Sequence, residues 1–285
     1  MISYGKQYID DEDIESVIRA LKDPYLTQGP LIEKFETALR KYFNAKYCCV
    51  VSSGTAALHL SILALNCKKS DIILTTPMSF LATANCIVYG GATPDFVDID
   101  RKTHSIDPNL LEEKVRNYQL QNKKIKAVIA VDYSGHPCNW KALRGLANKY
   151  NFILINDNCH AMGAKYFNSK EYAIKYADIV TQSYHPVKHI TTGEGGSILS
   201  NDKEIIKKIK LLRTHGINKT SNTIKGPWYY EMDEMGFNYR ITDIQCALGI
   251  SQLKKLDNYI KIRRVIAKKY DTAFKKIANI TTPFI

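Results

Sequence analysis

The sequence predicts an α/β protein with a mainly parallel sheet covered by helices on both faces. Three observations lead there: short β-rich runs alternate with stretches of helical spacing, the runs are apolar on both faces, and polar or glycine residues collect where they end. In chain order, Ile14, Val17, Ile18 and Leu21 follow helix spacing behind the acidic "DDED". Leu31, Phe35, Ala38, Leu39 and Tyr42 do so again. Next come "YCCVVS" as a strand, "GTAALHLSILAL" as a helix, "DIILTTP" as a strand and "FLATANCIVYG" as a helix. "AVIAVDYSG", "FILIND" and "ADIVTQS" read as further strands, with a helix around "NWKALRGLANKY". After "SILS", helices are expected near 202–213, 240–256 and 258–277. Ligand sites on such sheets lie at the carboxyl ends of the strands, where Ser53, Gly54, Thr55, Thr76, Asp157 and Ser183 fall.

At 285 residues the chain holds one large domain, or one large and one small. The opening "MISYGKQYIDDEDI" has no apolar leader. No apolar run approaches the roughly 20 residues of a membrane-crossing helix. Seven cysteines without a CxxC spacing read as free thiols of a cytoplasmic protein. No metal site is expected. The net charge is +12, and residues 201–285 hold 17 Lys/Arg against 8 Asp/Glu, or +9 of it. That basic third is spaced as the wet face of amphipathic helices, as in "KEIIKKIKLLR", and no nucleic-acid motif accompanies it. A site for a phosphorylated small molecule remains compatible with the charge.

Three short stretches carry chemistry. "SSGTAALHL" at 52–60 ends a strand and opens a helix, whose free N–H groups and positive dipole end suit a phosphate. Alone, a plain strand–helix turn with a Ser/Thr cap explains it as well. It is not a Walker loop, since no G-K-[ST] follows. In "ILINDNCHAMGA", Asp157 stands just past a buried strand, where it either caps a turn or keeps a ring nitrogen protonated. His160 orients a ligand or is structural. In "SYHPVKHITTGEGG", Lys188 adjoins glycines that leave room for a bulky group, and its amine can bond an aldehyde. By itself it also reads as a surface lysine. Taken together, a phosphate seat, a carboxylate and this amine at successive strand ends are the parts that pyridoxal phosphate (PLP) requires, with Phe80 supplying an aromatic face.

The order "SSGTAAL", "TTPMSFLATAN", "VDYSGHPCN", "NDNCHAMGA", "SYHPVKHITTGEGG", "LLRTHGI" and "GFNYRITDIQCALGISQLKKLD" resembles the DegT/DnrJ/EryC1/StrS family of sugar aminotransferases over nearly the whole chain. The resemblance implies a fold-type-I, PLP-dependent transferase with a seven-stranded-type sheet. It also implies a homodimer with active sites at the subunit interface. Lys188 would be the Schiff-base lysine and Asp157 the partner of the ring nitrogen. Gly54, Thr55 and Ser183 would hold the phosphate, Phe80 would stack on the ring, and His160 would lie beside it. Asn238 would reach the other subunit's cofactor. Tyr4, Tyr25, Leu26, Thr27, Gln28, Ser53, Ser183 and Asn238 would contact the substrate. "YLTQGP" tilts the substrate toward a UDP-linked 4-keto-6-deoxy-N-acetyl hexose of pseudaminic acid biosynthesis, with glutamate as amino donor.

The implied layout is an N-terminal arm (1–10), a large cofactor-binding domain (11–240), and connecting helices (241–285) that begin a small C-terminal domain apparently cut short. Asn158 stands where the family usually has a small residue. Other readings stay open: a transaminase for a dTDP- or GDP-linked 4-keto sugar, or a truncated, non-catalytic PLP-binding homologue. Dehydratase relatives carry histidine at the lysine position, so Lys188 favours amino transfer.

Overall fold

The computed structural model describes residues 5–218, 226 and 228–284. Helix α1 (Asp11–Leu21) starts at Asp10, whose carboxylate accepts the Asp13 N–H while Asp13 accepts the Asp10 N–H, a reciprocal capping box. Helix α2 (Pro30–Phe43) has proline in its first turn and ends at Asn44, which takes a left-handed φ of 54°. There follow β1 (Tyr47–Val51), α3 (Gly54–Ala64), β2 (Ile72–Thr75), α4 (Leu81–Tyr89), β3 (Thr93–Phe96), α5 (Pro108–Leu120) and β4 (Ile125–Val131). The chain continues through α6 (Trp140–Tyr150), β5 (Ile153–Asp157), α7 (Tyr172–Tyr176), β6 (Ile179–Ser183), β7 (Gly196–Ser200) and α8 (Lys203–Leu212). A short ribbon of β8 (Ile217–Asn218) and β9 (Glu231–Met232) precedes α9 (Asp243–Phe274).

The main sheet has seven strands in the order β1-β7-β6-β5-β4-β2-β3, and only β7 runs against its neighbours. Alternate residues of every strand of this sheet but β3 enter two separate cores. Val50, Leu74, Val128, Leu154 and Val180 face one layer, while Val51, Ile73, Ile129, Ile155 and Ile179 face the other. Each such fully buried aliphatic side chain stabilises the fold by about 1.5–3 kcal/mol. This two-sided burial is why the strands read as continuous apolar runs. Among the described residues, no helix is long and apolar enough to cross a membrane.

Several elements depart from the sequence reading, among them β3, α5 and α9, while α7, β8 and β9 are short additions to it. Strand β3 was not expected because "TPDF" carries proline and aspartate, which are tolerated here at the sheet's edge. Helix α5 buries only Leu111 and Val115, too thin a stripe to show. The two helices expected at 240–256 and 258–277 are one, α9. No proline or glycine interrupts it past Gly249, and Asp257 at the expected break accepts from Tyr42 (2.9 Å) and pairs with Lys170 (3.2 Å). The second half of α9 is exposed.

Strand β1 forms one edge of the sheet, and side chains close it. The Val50 N–H donates to Glu36 Oε1 (3.2 Å), Arg213 Nη1 donates to the Val50 carbonyl (2.8 Å), and the Ser52 N–H donates to the Tyr239 carbonyl (2.9 Å). Buried Glu36 is balanced by Arg213 (3.2 Å) and Lys210 (2.7 Å). Glu36→Ala leaves two cations and an edge N–H without their acceptor. It should lower the unfolding free energy by about 3 kcal/mol in urea titration, with Glu36→Gln losing less. A loss below about 0.5 kcal/mol for the alanine variant would contradict this role.

Candidate active site

Strands β1, β6, β5, β4 and β2 run in one direction, so their carboxyl ends share an edge, and β7 begins at that edge. Gly196, the first residue of β7, pairs with Val51 on one side and Ser183 on the other. A Cβ on Gly196 would stand 2.4 Å from the Ser53 carbonyl oxygen, and one on Gly54 would stand 2.7 Å from Ser183 Cβ. Both glycines are required by close backbone approach. They let the turn after β1 and the end of β6 meet across an intervening strand.

The turn opens α3. Ser53 is its cap, its Oγ accepting the Ala56 N–H at 3.0 Å and its carbonyl the Ala57 N–H at 3.1 Å. The N–H groups of Gly54 and Thr55 keep no acceptor among the described residues. With the exposed Thr55 and the partly exposed Ser183, they form a donor-rich seat at a helix N-terminus, suited to a phosphate.

Asp157 ends β5 and is 5% exposed. Its Oδ2 accepts from Thr83 Oγ1 at 2.7 Å, and Ser79 Oγ donates to Thr83 Oγ1 at 2.6 Å. Its Oδ1 accepts the Cys159 N–H at 3.3 Å. Phe80 sits immediately before α4, 65% exposed, so one helix end both presents the aromatic ring and orients the carboxylate. Thr83 escaped the sequence reading; it stands in the first turn of α4, and Ser79, just before the helix, reaches it.

Lys188 lies in the loop between β6 and β7, its N–H donating to the His185 carbonyl at 2.9 Å. The charges of Lys188 and Asp157 both act on Cys159 and on His160, which gathers the amine and the carboxylate around the same two residues. Burial lowers the pKa of half-buried His160, Lys188 lowers it further, and Asp157 opposes both. The His160 ring packs edge-on to Tyr133 at 5.9 Å between centroids. His189 is pushed down to about 4 by burial and by the surrounding cations.

A second network stiffens the neighbouring strand end. Fully buried Asp132 accepts from the Cys138 N–H (2.8 Å), Trp140 Nε1 (2.9 Å), Asn156 Nδ2 (3.1 Å), Asn158 Nδ2 (2.8 Å) and the Tyr172 hydroxyl (2.8 Å). Asn158 is thereby accounted for. It also accepts from Gln182 Nε2 at 2.5 Å, tying β5 to β6.

The remaining expected residues lie elsewhere. Tyr4 falls outside the described residues. Tyr25, Leu26, Thr27 and Gln28 are exposed and docked on the start of α9. There Thr27 pairs with Thr242, the Leu26 carbonyl accepts the Asp243 N–H (3.0 Å), and Asp243 accepts the Gly29 and Leu31 N–H groups (2.8 and 2.9 Å). Asn238 is exposed beside Thr214. Among the described residues, none of these five has a hydrogen bond to Gly54, Asp157, Ser183 or Lys188.

The open donors, the carboxylate and the amine fit a cofactor with a phosphate, a basic ring nitrogen and an aldehyde. Comparisons with known proteins agree. The chain is 45% identical over 277 residues to a UDP-4-amino-4,6-dideoxy-N-acetyl-beta-L-altrosamine transaminase of Campylobacter jejuni, a match covering 97% of this chain and 70% of that protein. It superposes on Helicobacter pylori PseC, an aminotransferase involved in the biosynthesis of pseudoaminic acid, with a TM-score of 0.87 and 35% identity over 97% of this chain and 71% of that one. It also superposes on NtdA of Bacillus subtilis with bound cofactor PMP, with a TM-score of 0.80 and 29% identity over 95% of this chain and 59% of that one. The profile of the DegT/DnrJ/EryC1/StrS aminotransferases, which are PLP-dependent, matches residues 7–284. The chain belongs to the DegT/DnrJ/EryC1/StrS aminotransferase family.

Proposed function

We propose that the protein is a PLP-dependent aminotransferase that moves an amino group from glutamate to C4 of a UDP-linked 4-keto-6-deoxy-N-acetyl hexose in the cytoplasm. What supports the chemistry is one sheet edge that carries open helix N–H groups and the Asp157 carboxylate, with Lys188 in the loop that joins β6 to β7. The sugar class rests on the 45% identity to the Campylobacter transaminase.

In this reading the N–H groups of Gly54 and Thr55, with the Ser183 hydroxyl, hold the phosphate. Asp157, oriented by Thr83, keeps the ring nitrogen charged, since a close carboxylate favours the protonated form. Phe80 covers one face of the ring. The cofactor supplies an aldehyde that carries the amino group and a ring that takes up electrons when a C–H bond breaks. Lys188 would hold the aldehyde between turnovers, and its amine, once released, would take the proton from the donor's α-carbon and return it at the other end of the system. His160, its pKa lowered, is uncharged at neutral pH and acts as a hydrogen-bonding neighbour, not a competing cation.

The reading is completed by a second copy of the chain. Asn238 and the 25–28 segment are exposed and unattached to the site of their own subunit, which is the arrangement expected of residues that serve a partner's site. Exposed apolar side chains support burial against a second copy: Leu81, Val88 and Tyr89 on α4, with Met232 and Met235 near the β8–β9 ribbon.

Three outcomes test this. The full chain with PLP and glutamate should aminate a UDP-linked 4-keto-6-deoxy-N-acetyl hexose, releasing 2-oxoglutarate, in preference to dTDP- or GDP-linked 4-keto sugars. Preference for either of those would redirect the assignment. Lys188→Ala should cut turnover by on the order of a thousandfold or more, read by product chromatography. Thr83→Val removes the hydroxyl that orients Asp157 while keeping its volume. It should lower kcat by about tenfold with little change in KM for the sugar, and an unchanged kcat would remove Thr83 from the site.

A further inference from the structure

A second cleft, of about 570 Å³, opens beside Lys188. Its walls are the N-terminal arm at Lys6–Tyr8, the loop carrying Lys188–Thr191 and the second half of α9. Its charge is one-sided. Lys6, Lys188 and Arg263 line it, and no aspartate or glutamate does. Ile190, Ile262 and Ile266 supply apolar wall.

Arg263 supplies the cleft's guanidinium. Its Nη2 donates to the main-chain carbonyl of Lys188 at 3.3 Å, and it has no carboxylate partner among the described residues. Two buried polar atoms beside the cleft are also unpartnered, His189 Nδ1 and the Tyr259 hydroxyl. A guanidinium with spare donors, fixed to the main chain of the lysine that exchanges the amino group, is placed to receive a planar anion.

We infer that Arg263 binds the side-chain carboxylate of a dicarboxylic amino donor, and that this cleft is where the donor is recognised. The inference rests on the aminotransferase reading of Lys188. The donor's α-carbon has to reach the end of the Lys188 side chain. Arg263 sits at the main-chain end of that residue, a side chain's length away, which suits the carboxylate farther from the amine. The apolar wall takes the donor's methylenes. The cleft's positive charge opposes the two carboxylates of the donor.

The test uses the PLP-loaded full chain and glutamate without any sugar, following the cofactor's absorbance. Arg263→Gln should weaken the apparent affinity for glutamate by about 10- to 100-fold and collapse the preference for glutamate over alanine by a similar factor, with Arg263→Lys between the two. Binding of glutarate, a dicarboxylate that cannot react, should weaken alike in titration calorimetry. Equal losses for glutamate and alanine, or a loss confined to the sugar in the second half-reaction, would overturn the inference. If wild type ignores glutamate, the aminotransferase reading falls by itself. Glutarate then decides the anion site: retained binding in Arg263→Gln, or none in wild type, overturns it.

Discussion

The site depends on a close approach that only glycine permits. Strand β7 lies between β1 and β6, yet the donor seat needs the ends of those two strands together. Gly196 solves this because it is the residue that both flanking ends pair with, and it carries no side chain to hold them apart. Gly54 then rests against Ser183 at a distance a Cβ would forbid. A methyl group at either position would push the turn of α3 away from β6 and separate the N–H donors from the Ser183 hydroxyl.

Around that contact the protein fixes each functional group from behind. Ser79 and Thr83 aim the Asp157 carboxylate, and Asp132 gathers five donors that hold the ends of β4 and β5. The Glu36–Arg213–Lys210 cluster closes the free edge of β1, the strand that delivers Gly54. The buried carboxylates of Glu36, Asp132 and Asp157 are each met by hydrogen-bond donors or cations, the condition under which a buried carboxylate is tolerated. The reacting groups sit on strand ends and one helix end, where small backbone shifts are resisted, and Lys188 alone is placed on a loop. That division suits an amine that moves and partners that do not.

Much of this was legible in the sequence. Strands buried on both faces announce themselves as apolar runs, and Ser53–Thr55, Asp157 and Ser183 fall at their ends as a parallel sheet requires. Thr83, Asp132 and Arg263 were not legible, because each acts across long sequence separation on a partner that periodicity does not identify. Asn158 read as a departure from the family and turned out to be a member of the Asp132 network. The break expected within the last helix failed because Asp257 and Asn258 look like a boundary, whereas Asp257 is held by Tyr42 and Lys170. Asn238 and residues 25–28 are exposed, and in the proposed dimer they would face the second copy of the chain.

The central claim is that one lysine amine, grouped with Asp157 and His160, is the covalent seat of the cofactor. Borohydride reduction of the protein with PLP, followed by peptide mapping, tests it directly. The account predicts a single stoichiometric pyridoxyl group on the peptide containing Lys188, with no label there when Asp157→Ala has removed the ring's partner at limiting cofactor. Label scattered over surface lysines, with Lys188 unmodified in wild type, would contradict it.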